Sequence, residues 1–205
     1  MRPRVLVIDN VDSFTFNVVA ELELRVECSV ITNDTALPDD LGIKYDGIVI
    51  SPGPCNPTTA GVSLTACERL LDRTLDLPLL GVCLGHQTLA HVAGASILRA
   101  KRAVHGKVLR VLHDGSGIFA GLEGALSVAR YNSLTVDETS LPAELVVTAW
   151  SEDEREVMAL AHRTLPLASV QFHPESHLSE ASALRIFDNF AAWAQCAMAR
   201  RLSLV

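Results

Sequence analysis

Two short stretches carry the side chains best suited to nucleophilic chemistry: Gly81-Val82-Cys83-Leu84-Gly85 and, ninety residues on, His173-Pro174-Glu175. A thiol is a far better nucleophile near neutral pH than a hydroxyl. Glycine on both sides of Cys83, after the apolar run Leu77-Pro78-Leu79-Leu80, has the form of a nucleophile elbow. In such an elbow a strand ends, the chain turns sharply and a helix begins, with glycines relieving the turn. A helix starting at Leu84 or Gly85 would aim its first N–H groups at the sulfur. Taken singly, each residue has a plainer reading. Cys83 could be an inert buried thiol, His173 a structural histidine at the end of the run Ala168–Phe172, and Glu175 a solvated surface acid. Together they fit one unit, in which a histidine takes the thiol proton and a carboxylate fixes the ring's tautomer and orientation.

Ser51-Pro52-Gly53-Pro54-Cys55 is a strand end followed by a loop stiffened by proline and glycine. It is either a tight turn or half of an oxyanion hole, its backbone N–H acting with that of Leu84. Asp9-Asn10-Val11-Asp12-Ser13 follows another apolar run, and Asp12 or Ser13 is expected to cap a helix.

The elements that must position these residues alternate. Strands are expected at Arg4–Ile8, Cys28–Thr32, Gly47–Ile50 and Leu79–Val82. Helices are expected at Ser13–Leu24, Leu64–Leu75 and Gly85–Ala93, the last ending at Gly94. Apolar strands separated by helices predict an α/β fold, an open and mostly parallel sheet flanked by helices. From Lys107 the runs shorten. Val108–Leu112, Ser127–Arg130, Leu145–Ala149, Val157–His162 and Ala168–Gln171 read as a small antiparallel extension, and Glu180–Ala197 as a closing helix. Ligands of open α/β sheets bind beyond the carboxyl ends of the strands. Asp9-Asn10, Ser51–Gly53, Cys83 and His173 all follow strand-like runs and should converge on one edge.

Composition narrows the function. With 205 residues the chain is expected to form a single domain, 1–205. No apolar run reaches the ~18–20 residues of a membrane span, and the N-terminus lacks the pattern of a secretory signal, so a cytoplasmic protein is expected. Five cysteines at irregular spacing, with no C-x-x-C, suggest neither a disulfide framework nor a metal site. A net charge of −7 argues against nucleic acid as a partner.

The chain resembles the class I, triad-type glutamine amidotransferases, in particular the glutaminase subunits of chorismate-amidating synthases. The resemblance rests on six motifs in order: Asp9–Thr15, Ser51–Pro54, Gly81–Gln87, His105–Lys107, Arg130–Leu134 and Gln171–Ser176. It implies a flavodoxin-like sheet and a Cys83–His173–Glu175 triad that hydrolyses L-glutamine through a thioester. Gly53 and Leu84 would form the oxyanion hole. Gly53, Pro54, Cys55, Leu84, Gln87, Ser133 and Leu134 would bind glutamine. The ammonia would pass to a chorismate-binding synthase subunit. This chain would hold no metal or other cofactor, and the partner subunit would need Mg2+. Ser51–Cys55 and the segments Val147–Glu152, Arg155–Met158 and His162-Arg163 resemble the aminodeoxychorismate synthase form, of the folate pathway. Anthranilate synthase component II, of the tryptophan pathway, or a subunit shared by both is the alternative. A free-standing γ-glutamyl hydrolase and a silent docking subunit are further readings. Asn132 departs from the usual histidine of a Tyr-His-Ser-Leu motif, and the first helix lacks its usual terminal glycine.

Overall fold

In the computed structural model, residues 1–203 are described, and eleven strands and five α-helices are found among them. In chain order these are β1 (Arg4–Asp9), α1 (Thr15–Glu23), β2 (Glu27–Thr32), α2 (Leu41–Lys44), β3 (Gly47–Ile50), α3 (Val62–Leu71), β4 (Leu79–Val82) and α4 (Leu84–Val92). Then come β5 (Ile97–Arg99), β6 (Lys107–His113), β7 (Leu126–Arg130), β8 (Leu134–Val136), β9 (Leu145–Ser151), β10 (Val157–His162), β11 (Leu167–Val170) and α5 (Arg185–Ser203).

Strand β1 shows why the sheet is covered on both faces. Successive side chains of a strand point to opposite sides, and here both sides are apolar. Val5 and Val7 pack with Val18, Val19 and Leu22 of α1 and with Ile186, Phe187 and Phe190 of α5. Leu6 and Ile8 pack with Ala66, Cys67 and Leu70 of α3 and Leu89 of α4. All four strand residues are fully buried. Such two-sided burial is the mark of a parallel sheet.

The nine-stranded sheet runs β2-β1-β3-β4-β11-β10-β9-β6-β7. The pairs from β2 through β11 are parallel and those from β11 through β7 antiparallel. The Ala168–Gln171 run therefore corrects its expected place. Strand β11 pairs parallel with β4, Val170 beside Val82, and forms the seam between the two halves. That seam sets the end of β11 directly beside the end of β4.

Several boundaries differ from the sequence reading. Helix α1 starts at Thr15 with Phe14 at the cap position, and Asp12 accepts from the Phe14 amide at 2.8 Å one turn earlier. Its C-terminus has no glycine; the Arg25 guanidinium instead donates to the Glu21 carbonyl. Strands β5 and β8, a separate two-stranded sheet, and the short α2 were not anticipated. The closing helix is preceded by a 3-10 turn over Ala181–Leu184. No helix among the described residues is long and apolar enough to cross a membrane.

Candidate active site

The strand ends do converge. The Asn10 amide N–H donates to Ser51 Oγ at 2.9 Å, and its side chain donates to the Ser51 carbonyl at 3.0 Å. Asn10 Oδ1 accepts from Ser63 Oγ and Asn33 Nδ2. These bonds tie the ends of β1, β2 and β3 to α3.

Cys83 sits between β4 and α4 with φ +53° and ψ −97°. This is strained backbone for a residue with a Cβ, of the kind that persists where surrounding structure enforces it. The elbow therefore differs from its sequence reading in one respect. The strain is carried by Cys83 itself, and Gly81 and Gly85 are needed for close approach. A Cβ on Gly81 would lie 2.6 Å from the Gly85 carbonyl oxygen, and one on Gly85 2.5 Å from that of Ile50. Only hydrogen at these positions lets α4 descend onto the ends of β3 and β4. The Cys83 amide donates to the Val170 carbonyl at 2.8 Å, holding the Cys83 backbone against β11.

His173 follows β11 and is held on three sides. Its amide donates to the Ala129 carbonyl at 3.0 Å, and Ser179 Oγ donates to its carbonyl at 2.6 Å. Phe14 and Tyr131 stand with ring centroids 5.0 Å from the imidazole. Nδ1 pairs with Glu175 Oε1 at 2.6 Å, which leaves Nε2 without a hydrogen bond among the described residues. Nε2 is the nitrogen that a nucleophile's proton requires.

Burial disfavours a charge on His173, yet interaction with the neighbouring Cys83 and the hydrogen bond and charge of Glu175 outweigh it and raise its pKa to about 10. Protonated His173 stabilises the fold fully below the ordinary pKa of 6.5, and this contribution is lost as pH rises from 6.5 to about 10. His173 should therefore still be an imidazolium at pH 8 by its 13C and 15N ring shifts, and in Cys83→Ala it should deprotonate at lower pH. A wild-type ring that titrates near 6.5 would contradict this geometry.

A cavity of about 200 Å3 opens beside Cys83, lined by Gly53, Pro54, Cys55, Gln87, Ser133 and Leu134. It is the size for an amino acid rather than a larger ligand. Leu84 does not line it; its side chain is buried and fills the space that a Cβ on Gly53 would need, at 2.4 Å. As the first residue of α4, Leu84 has no intrahelical partner for its amide, and among the described residues it has none elsewhere. Cys55 has φ +67° and is exposed at the rim.

The structure adds residues outside the expected site. His105, Tyr131 and Asn132 also line the cavity. Gln171, buried at the end of β11, places Nε2 3.7 Å from Cys83 Sγ and accepts from Gln87 Nε2 at 3.0 Å. Arg130 and Glu156 form a buried ion pair at 2.6 Å. His105, Tyr131, Asn132, Arg130 and Gln171 all lie within motifs visible in the sequence; Glu156 lies in the Arg155–Met158 segment, where nothing in the sequence marks it as the partner of Arg130. Cys28 and Cys67 fit structural roles. Burial and Glu23 push the Cys28 thiol up to about 12, and burial pushes that of Cys67 higher still. His86 is kept neutral by burial, its pKa lowered to about 3, and it bonds Ser169 Oγ at 2.9 Å.

The family model for glutamine amidotransferase class-I matches residues 6–193. Aminodeoxychorismate synthase component 2 of Escherichia coli (strain K12) is 49% identical over 178 residues, covering 86% of this chain and 93% of that protein. Anthranilate synthase component 2 of Pseudomonas aeruginosa is 46% identical over 182 residues, 86% of this chain and 89% of that one. Aminodeoxychorismate/anthranilate synthase component 2 of Bacillus subtilis is 46% identical over 174 residues, 84% and 88% of the two chains. Among solved structures, a protein from Thermoplasma acidophilum described as part of a GMP synthase superposes with a TM-score of 0.84. The two are 28% identical, and the match covers 100% of this chain and 99% of that one.

Proposed function

The chain belongs to the class-I glutamine amidotransferase family, and on that premise we propose that it is the glutaminase subunit of a chorismate-amidating synthase, acting in the cytoplasm as one domain. The observation that carries this reading is the strained Cys83 opening onto a cavity of amino-acid size, at the end of the strand that pairs with the one leading to the His173–Glu175 pair. Cys83 attacks the side-chain amide of L-glutamine while His173 holds the proton and passes it to the departing ammonia. The amides of Gly53 and Leu84 stabilise the tetrahedral oxyanion. Water then releases glutamate from the thioester, with His173 acting as base. Gln87, Ser133 and Leu134 hold the head group. A larger cavity of about 780 Å3 shares Leu134 with the first and runs along Asn56–Thr58 and Ser96–Leu98. The synthase subunit would cover this side and receive the ammonia.

Aminodeoxychorismate synthesis is the pathway favoured, on the Ser51–Cys55, Val147–Glu152, Arg155–Met158 and His162-Arg163 segments and the E. coli relative. The anthranilate alternative has support of similar identity from the P. aeruginosa relative. The deciding assay mixes this chain with an aminodeoxychorismate-type synthase subunit, chorismate and either glutamine or ammonia. Product from glutamine is the expected result. Product from ammonia alone would reject that partner, and an anthranilate-type subunit would then be expected to respond to glutamine.

A further inference from the structure

We propose that Gln171 is a positioning residue, whose amide holds the Cys83 sulfur on one side and fixes the direction of the Gln87 amide on the other. The proposal deepens the reading of Cys83 as the nucleophile and rests on it. Gln171 is fully buried one residue past β11, between the seam strand and His173. Its side chain therefore has no water to satisfy it, and each of its atoms must find a protein partner.

The polarity of the whole chain of bonds starts at the sulfur. The Cys83 sulfur accepts from Gln171 Nε2 at 3.7 Å, which leaves Gln171 Oε1 for Gln87. Gln87 can then only donate, and it does so from Nε2 at 3.0 Å. The same nitrogen donates to the Leu134 carbonyl at 3.4 Å. Both N–H groups of Gln87 are thus committed, and its Oε1 makes no hydrogen bond among the described residues. Gln87 lines the cavity, so the group it offers a ligand is an acceptor. An acceptor beside the nucleophile selects a donor, the α-ammonium of an amino acid, and disfavours a carboxylate there. Two amides in series thereby link the nucleophile's sulfur to selection for a substrate with a free amino group.

The test compares wild type with Gln171→Met, which keeps the volume and loses the amide. Two readouts are used. One is the rate at which iodoacetamide alkylates Cys83 in the chain alone at pH 8. The other, in complex with the synthase subunit, is kcat/KM for glutamine relative to glutaramate, the same amide without the α-amino group. A hydrogen bond to a charged group in a buried site is worth a factor of about ten or more. Alkylation is expected to slow about tenfold, and the preference for glutamine to fall about tenfold as Gln87 becomes free to turn. A merely structural residue would move neither the preference nor the alkylation rate of a folded protein. An unchanged rate with an unchanged preference would overturn the proposal. If Gln171→Met does not fold, Gln171→Glu decides. It keeps an acceptor for Gln87 and sets a carboxylate beside the sulfur, so alkylation should slow while the KM for glutamine stays near wild type. Wild type that cleaves no glutamine with any synthase subunit would refute the glutaminase reading, and the alkylation result would still report on the Gln171–Cys83 contact.

Discussion

Cys83→Ser is expected to abolish glutamine-dependent product formation while leaving ammonia-dependent synthesis by the partner subunit intact. The loss should be on the order of 10³-fold or more, at least ~4 kcal/mol of transition-state stabilisation. A serine hydroxyl occupies the same strained position at φ +53°, so the elbow and its Val170 contact need not change. What changes is the nucleophile. A hydroxyl needs its proton removed as it attacks, whereas a thiol can transfer its proton to His173 beforehand. The surrounding site is tuned to a sulfur–imidazolium pair, with His173 raised to about 10 by Cys83 and Glu175. Ammonia supplied from solution bypasses this chain, so the two nitrogen sources separate chemistry from assembly. Loss of both activities would mean that Cys83 supports folding or docking. Loss of neither would make this a silent docking subunit.

The proposed triad was legible because Cys83 and His173 each follow a strand-like run and because His173 and Glu175 are neighbours in sequence. Chain order brought the two halves together once the β11–β4 pairing was formed. The elbow's glycines were legible as necessary, but their reason was not. Close approach of α4 to Ile50 is a tertiary fact, and only the folded chain shows that Cys83 bears the strain. Strands β5 and β8 were missed because each is three residues long and they pair only with each other, far apart in sequence. Gln171 stood in a strand-like run and in the Gln171–Ser176 motif without an assigned role; its two side-chain partners lie more than eighty residues away. Asn132 is the departure that the structure explains best. Its Oδ1 accepts from Arg130 Nε at 2.8 Å and its Nδ2 donates to the Leu134 carbonyl at 2.8 Å. A neutral histidine also offers one acceptor and one donor nitrogen, so the amide supplies the same pair of functions in a smaller volume.

Arg130→Met should destabilise the chain by about 3–5 kcal/mol, the cost of leaving one partner of a buried ion pair alone. Arg130 is 2% exposed and Glu156 7%, and their contact is 2.6 Å. Without the guanidinium, the Glu156 carboxylate retains only the Lys101 amide, at 3.3 Å, on its other oxygen. The double change Arg130→Met with Glu156→Leu should recover most of the loss, because removing both charges removes the desolvation that neither then has to offset. Urea midpoints at unchanged slope would measure both effects, and a single variant that unfolds at the wild-type midpoint would refute the claim. The double variant should still bind glutamine less well. Arg130 orients Asn132, Asn132 holds the Leu134 carbonyl, and that carbonyl also accepts from Gln87. Stability restored with a raised KM would assign the pair a specific task. It fixes the wall of the cavity at Ser133–Leu134, and its charges serve the position of that wall more than the stability of the fold.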